Sequence, residues 1–175
     1  SRDLYTALIE PPWRLDAWRE AARAALCAGL APEQIAWSGD AQAGLLPGIN
    51  VNDARVVQTA PSVSSALFAL AAMVLCHRDP QRHALLYRIA WRMASGERHL
   101  LAHATDPDIH HANHLAKSVG RDTHKMKAFV RFKAVPGEDN TFIAWFEPEH
   151  WILDRIAPFF ARRFAVGRRL LPVQP

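Results

Sequence analysis

Between Gly120 and Lys133 the chain reads GRDTHKMKAFVRFK, which sets five cations (Arg121, Lys125, Lys127, Arg131, Lys133), one carboxylate (Asp122) and one imidazole (His124) into fourteen residues. Arginine can take a phosphate bidentately, and lysine meets it as a point charge. A histidine beside carboxylates is also the minimum for proton transfer. The groups for that second chemistry are Asp122 and His124 here, and Glu147, Glu149 and His150 in FEPEH further on. The candidate acid–base set is therefore His124, Glu147 and His150. The candidate phosphate contacts are Arg121, Lys125, Lys127 and Arg131, joined by Arg162 and Arg163 of FFARRF.

Charge placement favours the phosphate contacts. The chain has 21 Lys/Arg against 17 Asp/Glu, net +4. Residues 1–116 hold 10 cations and 11 acids, and residues 117–175 hold 11 and 6, so the net charges are −1 and +5. A basic C-terminal third suits a polyanionic partner, nucleic acid before a membrane surface. Phe129, Trp145, Phe146 and Trp151 lie among these cations. Exposed rings there could stack on unpaired bases, and buried ones would form a local core.

The nine histidines include five between His99 and His114. His99/His103 and His110/His114 have the i,i+4 spacing that a helical zinc site uses. No HExxH glutamate accompanies them and no cysteine is near, so neither a metal nor a cofactor is expected. Cys27 and Cys76 sit in apolar helical patterns and read as reduced, buried thiols. The segment SALFALAAMVLC is about two-thirds of a membrane span. SRDLYTALIEPPW lacks the pattern of a signal peptide. A cytoplasmic protein without a membrane partner is expected.

The elements that must position these groups follow from caps and breakers. A helix is expected after Asp16, ending at Gly29. Ser38 to Pro61 reads as loop, with a short strand at Ala54–Thr59. Helices are expected from Ser62 to His77, from Pro80 to Ser95, and from an Asp106 N-cap to about Lys125. KAFVRFKAV and TFIAWFE alternate around PGEDN as a hairpin, and PEHWILDRIAPFFARRF follows as a helix with Pro158 inside it. The expected fold class is α+β: one mostly helical domain over residues 1–175, with a late antiparallel β-hairpin packed on helices. Its helical part covers about 12–126, the hairpin about 127–147, and the C-terminal helix about 148–166.

Three strings, HRDPQRHALLYRIAWR, RDTHKMKAFVRF and WFEPEHWILDRIAPFFARRF, resemble an uncharacterised bacterial family of "probable DNA metabolism proteins". LDAWREAARAALCAGLAPEQIAW fits that family's first helix. The resemblance implies a domain that often precedes a uracil-DNA glycosylase-like domain in one chain, or is encoded beside a radical-SAM protein associated with DNA repair. It implies a DNA-associated accessory module that positions the nucleic acid or such a partner. Two other classes stay open: an enzyme acting on DNA through His124, Glu147 and His150, and a protein–protein adaptor without direct DNA contact.

Overall fold

The computed structural model describes residues 3–39, 47–129, 131–137, 141–145, 149–152, 154–158 and 169–172. The chain forms two compact units, Ser1–Lys117 and Ser118–Pro175.

The first unit is built on a parallel sheet. Strand β1 (Tyr5–Leu8) leads into helix α1 (Leu15–Cys27), which returns the chain to β2 (Ile35–Ser38), paired in parallel with β1. The short β3 (Ile49–Asn50) pairs in parallel on the other side of β1, giving the order β2-β1-β3. Parallel neighbours need a crossover, and α1 supplies it between β1 and β2. This sheet overturns the expected fold class, in which sheet was confined to a late antiparallel hairpin packed on helices. The strand expected at Ala54–Thr59 is also absent: Val51–Asp53 form a 3-10 turn and the next residues run without regular structure.

Helix α1 is amphipathic, burying Trp18, Ala21, Ala22, Ala25 and Leu26 at helical spacing. Its N-cap is Arg14 rather than Asp16, which lies in the first turn and complements the helix dipole there. It ends in a Schellman motif: Gly29 N–H donates to Leu26 O, Leu30 N–H donates to Ala25 O, and Gly29 takes φ 67°. Helices α2 (Ser65–Val74) and α3 (Arg82–Ala94) complete this core. Two buried donors stitch it together. The Trp18 indole N–H donates to His83 O at 3.3 Å, and the Tyr87 hydroxyl donates to Leu30 O at 2.6 Å.

The HRDP turn between α2 and α3 is a capping device. Asp79 N–H donates to His77 Nδ1, and Asp79 Oδ1 accepts from Gln81 N–H, which precedes α3. Asp79 Oδ2 also meets His111 Nε2 at 3.2 Å. The buried Arg82 guanidinium donates to three main-chain oxygens, those of Leu75, Asp79 and Pro12.

Helix α4 (Pro107–Phe129) starts where Asp106-Pro107 predicts, with Asp106 Oδ1 accepting from Asp108 and Ile109 N–H. Arg92 of α3 grips this start, donating to Asp106, Asp108 and Glu97, while Arg88 forms a further pair with Asp108. These bonds hold the Asp106 carboxyl down at about 2. A carboxylate with a depressed folded pKa stabilises above its unfolded value, and that contribution is lost as pH falls through the folded one. Asp106→Asn is expected to cost about 1–2 kcal/mol at neutral pH in urea unfolding. The difference from wild type should shrink between about pH 4 and pH 2.

In the second unit β4 (Arg131–Ala134) runs antiparallel to β5 (Thr141–Trp145), with Arg131 opposite Trp145. Strand β6 (Arg169–Pro172) adds to β5 in parallel, so the sheet order is β4-β5-β6. Of the C-terminal helix expected at 148–166, residues 154–158 are helical, and 159–168 lie outside the described residues. Among the described residues no helix is long and apolar enough to cross a membrane.

Candidate nucleic-acid interface

The second unit divides the last turns of α4 into two faces. Val119, Asp122 and Met126 are buried, and so are His150, Ile152 and Ile156 from the segment after β5. Their spacing along α4 is the i,i+3,i+4 repeat of a single helical face. Arg121, His124, Lys125, Lys127 and Ala128 are exposed.

A polar clasp joins α4 to the residues around His150. Ser118 Oγ and His150 Nε2 share a hydrogen bond at 2.9 Å, and the His150 N–H donates to Asp122 Oδ2 at 3.0 Å. A hydroxyl on an imidazole is a nucleophile–base contact in form. Here the Asp122 carboxylate engages the main chain of His150, His150 as a residue is only 7% exposed, and the contact joins two segments of the fold. Ser118 and Asp122 are one turn apart, so one face of α4 supplies both halves of the clasp.

The electrostatic consequence lies on the other face. Asp122 is the only acidic residue between Ser118 and Phe129, and it points inward. The exposed face of this stretch carries Arg121, Lys125 and Lys127 with no carboxylate of its own. Among the described residues neither Arg121 nor Lys125 is in an ion pair. Two positive side chains one turn apart, unneutralised and solvated, form a surface for anionic oxygens.

The structure brings some of the sequence-predicted residues together and separates others. Arg121, Lys125 and Lys127 share the exposed side of α4 with His124. His150 is buried and shares a hydrogen bond with Ser118 on the inner face of α4, whereas His124 lies on the exposed side. Arg131 lies on β4, opposite Trp145 of β5. Glu147, Arg162 and Arg163 lie outside the described residues. His99 and His103 flank the 3-10 turn Leu100–Ala102 and share no helix, whereas His110 and His114 are exposed on α4. Among the described residues no group of three or more His, Cys, Asp or Glu side chains could hold a metal ion. Sequence reasoning missed Ser118. The available signal was its spacing of four from Asp122, which puts two small polar side chains on a face otherwise filled by Val119 and Met126.

Comparison with curated proteins and with solved structures gives no match. The model of one family, described as a domain of unknown function (DUF4130), matches residues 80–170, a span that runs from the start of α3 through the clasp and the basic face. The chain belongs to the DUF4130 family.

Proposed function

We propose that this protein is a DNA-associated accessory module that engages nucleic-acid phosphates through the exposed basic face of α4. The observation that carries the reading is the inward turn of Asp122, with Arg121 and Lys125 exposed and, among the described residues, in no ion pair. Such contacts fix position along a backbone and read no sequence by themselves. The resemblance to DNA-metabolism proteins supports the same reading. The module then serves a uracil-DNA glycosylase-like domain or a radical-SAM protein by holding the DNA on which that partner acts.

The test is fluorescence anisotropy with labelled DNA at several salt concentrations. Three phosphate contacts give a log–log salt slope of about −2 to −3. The triple substitution Arg121→Ala, Lys125→Ala, Lys127→Ala is expected to flatten that slope and to leave urea unfolding within about 0.5 kcal/mol of wild type, since all three side chains are exposed. Binding that ignores both salt and the substitutions refutes the reading.

One observation favours a second reading, the adaptor. Val56 and Val57 are 68% and 64% exposed. Their segment is pinned to the end of α1 by Val57 and Gln58 N–H bonds to Cys27 O. A fixed apolar pair in solvent suits a protein contact. Val56→Ser with Val57→Ser is then expected to weaken binding of a glycosylase or radical-SAM partner while sparing DNA affinity.

A further inference from the structure

We infer that the exposed face of α1 is a two-fold interface on which a second copy of this chain docks, the two α1 helices running antiparallel. This interface lies beyond the nucleic-acid reading and does not depend on it.

Helix α1 holds four charged residues, Asp16, Arg19, Glu20 and Arg23, and all four are exposed. At about 100° per residue, Arg19 and Glu20 lie about 60° and 40° to either side of Asp16, and Arg23 about 20° from it. The four therefore form one stripe about 100° wide, opposite the fully buried Ala25. Asp16 with Arg19, and Glu20 with Arg23, have the i,i+3 spacing at which a helix pairs its own charges. Among the described residues none of the four is in an ion pair. Arg19 instead lays its guanidinium over the Phe68 ring, 4.2 Å from the centroid. The stripe thus presents both signs to solvent, unmatched.

The order of the signs selects the partner. Along the helix they run minus, plus, minus, plus. A two-fold axis midway between Arg19 and Glu20 sets a second α1 antiparallel to the first. Asp16 then faces the partner's Arg23, Arg19 faces the partner's Glu20, and the symmetry repeats both pairs. Every charge of the stripe meets its opposite. A parallel pair in register sets each charge on its like, and a slip of one turn in the antiparallel pair leaves two of the four unmatched. A polyanion on this face would meet Asp16 and Glu20 as well as the arginines, so nucleic acid is disfavoured here.

Apolar surface adjoins the stripe. A cleft of about 550 Å³ opens between α1 and the segment Ala60–Val63, walled by Ala22, Leu26, Val63 and Phe68 and bordered by all four charges. A helix seated on the stripe shields those walls from water, and that burial adds to charge pairs that are weak alone. The Phe68 ring also holds Arg19 in place before docking, which lowers the cost of ordering it.

The experiment is sedimentation equilibrium of the full chain at several loading concentrations and two salt concentrations. It compares wild type, Asp16→Arg, Arg23→Asp and an equimolar mixture of the two variants. Wild type is expected to dimerise as its concentration rises, and more weakly at high salt. Each variant alone sets like charges face to face at both symmetric positions, so its dimer Kd is expected to rise at least about tenfold. In the mixture each variant supplies the sign the other lacks, and the Kd is expected to return to within about threefold of wild type. Arg19→Glu mixed with Glu20→Arg repeats the test at the inner pair, should either outer variant fail to fold. A wild type that stays monomeric at millimolar concentration overturns the inference. So does a dimer that neither variant weakens, or a mixture as weak as its components while both keep the wild-type Tm.

Discussion

Replacing Trp18 with alanine is expected to destabilise the first unit by about 3–5 kcal/mol, the range for an aromatic side chain deleted from a closed core. Trp18 is 1% exposed and sits among the apolar residues of α1, α2 and α3. Its indole N–H is also the donor to His83 O. The alanine variant therefore loses apolar burial and leaves a cavity, and the buried carbonyl loses a partner. Trp18→Phe keeps one aromatic ring and gives up the donor and part of the buried volume, so a smaller loss of about 1–2 kcal/mol is expected. Urea unfolding measures both. A loss below about 1 kcal/mol for Trp18→Ala contradicts the packing described here.

The second large effect is a pH dependence centred on His83. Its ring is 1% exposed, and Nε2 donates to Pro12 O at 2.7 Å. That bond fixes the proton on Nε2. Nδ1 is buried without a hydrogen-bond partner, so a second proton would arrive where nothing accepts it. Burial and the neighbouring Arg82 guanidinium push the imidazole down to about 4. In the unfolded chain a histidine titrates near about 6.5, so between those values the unfolded state binds more protons. Stability is full above about pH 6.5, declines as pH falls, and has lost about 3 kcal/mol by pH 4 from this group alone. His83→Leu gives up the Pro12 bond at neutral pH but removes the extra slope in that window. Equal slopes for wild type and variant between pH 6.5 and 4 contradict the buried neutral imidazole. The Asp106 contribution falls in the separate window below about pH 4, so the two groups are distinguishable.

The helical elements were legible where a local signal defines them. Asp106-Pro107 marks the start of α4, and Gly29 marks the end of α1, because caps and positive φ are decided within a turn. The parallel sheet was not legible. Strand β1 is four residues, β3 is two, and their partners are separated from them by a whole helix or a long connection, so no alternation or turn announces the pairing. The basic stretch reads in sequence as a helix to about Lys125 followed by a strand, whereas α4 continues to Phe129 and takes Lys127 into the helix. The acid–base grouping of Asp122 with His124 could have been rejected from spacing, since residues two apart on a helix do not share a face. The clasp needed the fold, because Ser118 and Asp122 meet a histidine 32 and 28 residues away.

The most direct test of the central claim is a titration of the isotopically labelled full chain with a short DNA duplex, followed by amide chemical shifts. The account predicts that the largest changes cluster at Arg121, His124, Lys125, Lys127 and Ala128, and that buried Val119 and Ile156 stay near their free positions. Changes centred on other residues, or no changes at DNA concentrations well above the protein's, would contradict it.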